Sequence, residues 1–231
     1  MIKLIVLDVD GTLTDGRLYM DDKDNCLKAF DVKDGFAIAQ WIKLGGLVAI
    51  ITGKTSEIVR RRKEELGIQE LAQGVSNKVV ELNKLLVKYS LSLDEVAYIG
   101  DDINDLGVMS KVGFSACPKD AVSEVLERVD YIASKNGGRG AVREIFEKLM
   151  KENGMWNKVL ERYLNENENI KNVHDIFMRK SGDKVFLSMH IRVPKEMTVY
   201  EAHNMIDSIR EGIVLDFENV KDVMIHVDYL H

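Results

Sequence analysis

Short apolar runs alternate with longer, helically periodic stretches along roughly the first 150 residues. The runs at residues 3–8, 47–52, 71–73, 96–100 and 113–116 are brief and bounded by glycine or polar residues, which predicts buried strands. Between them, residues 35–44, 56–66, 78–89, 104–110 and 121–128 repeat apolar positions at helical spacing. Strict strand–helix alternation predicts an α/β domain, a Rossmann-like parallel sheet flanked by helices. Loops leaving the carboxyl ends of such strands gather along one edge, so Asp8, Thr52 and Asp101 are expected to converge.

One insertion breaks the alternation. Residues 17–20 and 27–30 flank the polar turn Asp21-Asp22-Lys23-Asp24-Asn25, a β-hairpin pattern. The turn lacks the glycine and terminal glutamate of a calcium loop and reads as solvated. A helical stretch over 140–152 then stops at Asn153-Gly154, the expected boundary between a domain of residues 1–153 and one of 154–231. The second domain reads helix (156–165), strand (173–179), a Ser181-Gly182-Asp183 turn, strand (184–193), helix (198–211) and strand (220–228). This α-β-β-α-β order predicts a small α+β, ferredoxin-like fold with helices on one sheet face.

Composition narrows the functions. The chain has 231 residues, 45% of them hydrophobic, enough for two cores, and its net charge of -6 argues against nucleic acid as a partner. The two cysteines, Cys26 and Cys117, have no metal-ligand spacing, and no secretory leader pattern is present, so a cytoplasmic location is expected. Apolar runs such as residues 47–51 are far shorter than a membrane span, so no membrane partner is expected.

The candidate chemistry sits at the first strand end, in Asp8-Val9-Asp10-Gly11-Thr12. Residues i and i+2 of a strand share a face, so two carboxylates converge where Gly11 turns the chain. One can attack while the other moves protons. Alone, Asp-x-Asp is more often an ordinary turn. A second acidic loop, Gly100-Asp101-Asp102-Ile103-Asn104-Asp105, also follows a strand, with Thr52 and Lys78 between the two in chain order, and that combination favours chemistry.

Residues 1 to about 150 resemble the haloacid dehalogenase superfamily of phosphohydrolases and, within it, the 3-deoxy-D-manno-octulosonate 8-phosphate phosphatase family. The resemblance rests on residues 8–16, Val32-Lys33-Asp34-Gly35, Ile51-Thr52-Gly53, Ser76-Asn77-Lys78, Tyr98-Ile99-Gly100-Asp101-Asp102 and residues 137–144. It implies a magnesium-dependent enzyme that hydrolyses a sugar-acid phosphate through an aspartyl-phosphate on Asp8, with Asp10 as acid and then base. Mg2+ would be held by Asp8, the Asp10 carbonyl and Asp101, with Asp105 supporting them. Asp102 divides evenly between an outer support and a solvated turn residue. Thr52 and the Thr52-Gly53 backbone N–H groups would bind phosphoryl oxygens, and Lys78 would stabilise the transferring group.

The gaps between motifs are too short for a cap domain. The resemblance therefore implies a capless homotetramer assembled through the hairpin of residues 17–30, with Arg139 contacting substrate. It also implies a place in lipopolysaccharide sugar synthesis. Lys54 stands where the family often has arginine, and a lysine loses bidentate carboxylate recognition. A nine-carbon nonulosonate 9-phosphate is thus the alternative substrate.

All five histidines lie beyond residue 153. Residues 155–231 resemble the cytoplasmic C-terminal domain of cation diffusion facilitators, through Val173-His174-Asp175, residues 179–182, His190, Glu201-Ala202-His203 and Ile225-His226-Val227-Asp228. That resemblance implies dimerisation and zinc at the dimer interface, with His174, His190, His203, His226 and Asp228 at ligand positions. His231 matches no ligand position. An alternative function follows, a metal-responsive binding protein using the phosphatase domain as an oligomeric scaffold; the intact Asp8, Asp10, Lys78 and Asp101 argue against it.

Overall fold

The computed structural model describes residues 1–22, 26–165, 173–182, 184–217 and 220–229, which form two compact units, Met1–Met155 and Trp156–His231. Within the first, six strands make one parallel sheet: β1 (Leu4–Leu7), β4 (Leu47–Ile51), β5 (Glu70–Ala72), β6 (Val96–Ile99), β7 (Phe114–Cys117) and β8 (Tyr131–Ile132). Their order is β5-β4-β1-β6-β7-β8. Leu7 pairs with both Ile50 and Ile99, so three chain segments leave the sheet at one level around β1. That is where strand order reverses, the usual ligand position of an open α/β sheet.

Helices α1 (Val32–Lys43), α2 (Glu57–Leu66), α3 (Lys78–Tyr89), α4 (Leu106–Met109), α5 (Ser123–Leu126) and α6 (Ala141–Glu152) complete the unit. Leu4, Val6, Ala49, Ile51 and Tyr98 pack with Leu82, Leu85, Val108 and Met109. The alternate positions Ile5, Leu7, Val48 and Ile50 are also buried, so both sheet faces are covered, as the expected fold class requires. Trp41 of α1 meets Phe146 of α6 edge-on at 6.1 Å.

Local signals explain the element ends. Helix α1 begins before Gly35, because Asp31 accepts from the Lys33 N–H at 2.7 Å and caps it. Asn77 accepts from the Val79 and Val80 N–H groups and fixes Lys78 as the first residue of α3. The acidic loop enters α4 through a 3-10 turn, Ile103–Asp105, so the regular helix is shorter than the apolar spacing predicts. Strand β8 adds an edge that the hydrophobic pattern does not predict, since it has two residues and no apolar run to mark it. The hairpin is present as β2 (Tyr19–Met20) and β3 (Cys26–Leu27), shorter than expected. Its turn residues Lys23, Asp24 and Asn25 lie outside the described residues.

The second unit contains α7 (Trp156–Asn165), β9 (Val173–Ser181), β10 (Lys184–Val193), α8 (Val199–Asp216) and β11 (Val220–Tyr229). Its sheet has the order β11-β10-β9, with β10 parallel to β11 and antiparallel to β9. Ile209 and Ile213 of α8 pack on Leu187, Met189, Ile191, Val193 and Val223, which covers one face. Thr198 and Glu201 close a capping box at the start of α8. Asp183 of the expected turn and His231 lie outside the described residues. Among the described residues no helix is long and apolar enough to cross a membrane.

Candidate active site and a histidine cluster

Asp8 follows β1 and is 5% exposed. Lys78 donates to Asp8 Oδ1 at 2.8 Å and to Asp105 Oδ1 at 2.7 Å, so one buried ammonium bridges two carboxylates. Asp105 is fully buried and used on both oxygens: Tyr98 donates its hydroxyl to Oδ1 at 2.6 Å, while the Asp101 and Asp102 N–H groups donate to Oδ2. Four donors leave Asp105 suited to holding Lys78 and the acidic loop in place. Asp102 is exposed and accepts from the Ile103 N–H, a capping role.

Asp101 accepts from the Thr12 hydroxyl at 2.9 Å, which ties the second acidic loop to the first. The approach is close enough that a Cβ on Gly11, whose φ is 95°, would overlap the Asp101 carboxylate. Burial, then the Asp105 charge, raise Asp8 to about 6 despite the opposing Lys78. Asp101 is raised to about 7, chiefly by burial and, against its Thr12 hydrogen bond, by the Asp8 and Asp105 charges. Oxygens of Asp8, Asp101 and Asp105 lie within 4.8 Å of one another. A crowded set of hard oxygen donors, two of them raised by burial, fits a small divalent cation such as Mg2+.

Asp10 is partly exposed and pairs with Lys28, just beyond β3. Thr52 follows β4 and is 3% exposed. One expectation is corrected here: the Thr52 N–H donates to the Ala72 carbonyl at 3.0 Å, continuing the sheet, and is not open to a phosphoryl oxygen. The exposed Gly53 and the Thr52 hydroxyl are the remaining groups of that loop. Gly137 packs so closely on the Gly11 carbonyl that no Cβ fits, and the Gly138 N–H donates to the Thr12 carbonyl at 3.1 Å. The glycine-rich segment therefore lies on the loop that follows Asp10 in its own chain, with Arg139 exposed and its charge felt by Asp15.

Three residues gain a place that spacing did not supply. Lys28 has no local signal separating it from a solvated hairpin lysine. Tyr98 reads as one more apolar strand residue. Asp34 is 1% exposed, and its Oδ1 accepts from the Arg143 N–H at 2.6 Å, at the start of α6. Its Oδ2 is buried with no hydrogen-bond partner, and burial raises Asp34 to about 6.

In the second unit, Asp228 Oδ2 lies 3.0 Å from His190 Nδ1 and 3.2 Å from His174 Nε2. The rings of His190 and His226, register partners on β10 and β11, stack at 4.8 Å. Strand alternation sets this cluster on the face opposite Met189 and Ile191, away from α8. Hydrogen bonding to His190 is the main influence holding Asp228 below the usual carboxylate range. His203 is on α8, 3.4 Å from Asp207, and is not brought to the cluster within one chain. His174, His190 and Asp228 are a mixed imidazole–carboxylate set suited to zinc or a similar ion.

A parallel sheet with buried aspartates, a lysine and a threonine at its switch point defines a phosphohydrolase-type site, and comparison with known proteins agrees. Residues 47–146 match the haloacid dehalogenase-like hydrolases, and residues 157–230 match the cytoplasmic domain of cation efflux proteins. The chain is 44% identical over 153 residues to the 3-deoxy-D-manno-octulosonate 8-phosphate phosphatase KdsC of Escherichia coli, covering 66% of this chain and 81% of that protein. The crystal structure of that phosphatase from Yersinia pestis aligns with a TM-score of 0.67 at 40% identity, over 68% of this chain and 84% of the other. The Moraxella catarrhalis enzyme, solved with magnesium, phosphate and a KDO molecule, aligns at 0.69 and 37% identity, over 70% and 93%. The chain belongs to the haloacid dehalogenase-like hydrolases, and it is a phosphoric monoester hydrolase.

Proposed function

We propose that the chain is a cytoplasmic, magnesium-dependent phosphatase of a sugar-acid phosphate, with 3-deoxy-D-manno-octulosonate 8-phosphate as its first substrate, serving lipopolysaccharide synthesis. The observation that carries this reading is the buried Asp8, held by Lys78 and faced by Asp101. Bound Mg2+, held by Asp8, Asp101 and the Asp10 carbonyl, supplies the positive charge that lets an anionic carboxylate approach a phosphate. An Asp8 oxygen attacks phosphorus, the bond to the leaving oxygen breaks, and Asp10 gives that oxygen a proton. Asp10 then takes a proton from the water that hydrolyses the aspartyl-phosphate. Lys78 and the Thr52 hydroxyl, with the Gly53 N–H, balance charge on the phosphoryl oxygens, and Asp105 keeps Lys78 in place.

The relatives' names support the eight-carbon substrate, whereas Lys54 supports keeping a nonulosonate 9-phosphate in view. The exposed apolar residues Leu18, Met20 and Leu27 of the hairpin support assembly into a homotetramer, with Arg139 reaching substrate. The test is phosphate release from a panel of sugar phosphates, with Asp8→Asn as control. Turnover of the eight-carbon acid phosphate with Mg2+, lost in the control, is expected; turnover only on unrelated phosphates would remove the substrate claim.

A second reading concerns residues 154–231, taken as a metal-binding and dimerisation domain. The cluster of His174, His190 and Asp228, with His226 stacked beside it, supports zinc binding there. His203 would join from a second copy. Calorimetry with zinc on the full chain, compared with His190→Ala, tests this; equal heats in both proteins would remove it.

A further inference from the structure

We infer that Lys28 is a positioning residue for Asp10, so that the hairpin supplies part of the catalytic machinery rather than only a surface for assembly. This rests on the reading of Asp10 as the proton-transferring group.

The Lys28 side chain is 6% exposed, while its neighbours Cys26 and Leu27 on β3 are exposed. A buried ammonium is costly unless paired, and the pairing here is with Asp10 Oδ1. Among the described residues, no other hydrogen bond reaches the Asp10 carboxylate. Asp8 differs, being fixed by Lys78 within a buried network. Asp10 lies on a turn and retains 22% side-chain exposure. Its orientation therefore depends on Lys28, across 18 residues of chain.

The consequence is chemical. As the bond from phosphorus to the leaving oxygen breaks, its electron pair goes to that oxygen, and the proton comes from the Asp10 carboxyl. The transfer needs Asp10 aimed at the leaving oxygen, and errors of about 1 Å cost rate steeply. A hydrogen bond from a nearly buried lysine to Asp10 Oδ1 restricts rotation of the side chain and leaves Oδ2 to carry the proton. It also receives the carboxylate left once the proton has gone.

The experiment compares kcat/KM on two substrates, because kcat/KM reports the transfer to Asp8 and not the later hydrolysis. One is p-nitrophenyl phosphate, whose leaving group departs without a proton. The other is the sugar-acid phosphate on which the wild type turns over fastest. Lys28→Ala is expected to lower kcat/KM on the sugar-acid phosphate by about ten- to a hundredfold more than on p-nitrophenyl phosphate, part of the contribution of a positioned acid. Lys28→Arg, which keeps the charge and a donor, is expected to recover part of that difference. Equal losses on the two substrates, or none, would overturn the inference, as would a Lys28→Arg protein no better than Lys28→Ala. Asp10→Asn separates this from the underlying reading: if it too shows no bias toward the sugar-acid phosphate, the assignment of Asp10 fails as well.

Discussion

Lys78 Nζ lies 2.8 Å from Asp8 Oδ1, with both side chains nearly withdrawn from water, and the same ammonium also holds the fully buried Asp105. Burial alone would lower Lys78, yet the Asp8 and Asp105 charges hold it above the usual lysine range. Removing it leaves two buried carboxylates with no counter-charge. Lys78→Met is expected to cost about 3–5 kcal/mol in denaturant unfolding at pH 8 without metal, the range for breaking a buried pair. Turnover should fall about a hundredfold or more. A variant as stable as the wild type would show that the bridge does not carry this charge balance.

Asp8 and Asp101, raised to about 6 and about 7, must lose their protons before they can hold a cation. Magnesium affinity is therefore expected to fall as pH drops from 8 through 7 to 6, by up to about tenfold per unit for each competing proton. Binding should release protons near pH 6 and few near pH 8.5. Calorimetry in buffers of different ionisation enthalpy reads both quantities. A pH-independent affinity would refute the assigned ligands.

Asp34 has a folded-state value of about 6 against an ordinary 3.8, so its ionised form is disfavoured in the fold. Below pH 4 both states are protonated and no penalty exists. Between 4 and 6 the unfolded chain ionises first and the native state loses stability; above 6 the loss is constant at roughly 3 kcal/mol. Asp34→Asn keeps an oxygen for the Arg143 N–H. It is expected to raise the melting temperature at pH 8, with the gain shrinking toward pH 4. A gain independent of pH, or a loss at pH 8, would contradict this account.

Zinc binding at His174, His190 and Asp228 should raise the unfolding temperature of the full chain and lose most of that effect in His174→Ala and Asp228→Asn. If zinc stabilises the double variant His174→Ala, Asp228→Asn as it does the wild type, the cluster is not the site.

The strand ends carrying Asp8, Thr52 and Asp101 are legible in the sequence because short apolar runs and acidic loops are local signals, and parallel pairing then brings them together. Lys78 is legible through its place in Ser76-Asn77-Lys78, between the two acidic loops in chain order. What spacing does not reveal depends on long-range pairing. Lys28 meets Asp10 only once the hairpin folds over it, and Asp34 meets Arg143 across 109 residues. The Thr52 N–H is spent because β5 lies beside β4, which no loop motif encodes. His203 shares chemistry with the other histidines but sits on the helix that covers the opposite sheet face.

The most direct test of the central claim is to quench the magnesium-loaded enzyme during turnover of 3-deoxy-D-manno-octulosonate 8-phosphate, reduce it with borohydride, and sequence it by mass spectrometry. An acyl-phosphate on Asp8 is reduced to homoserine, so homoserine at position 8, dependent on both substrate and Mg2+, is the expected result. Turnover without modification at position 8, or with modification at another carboxylate, would contradict it.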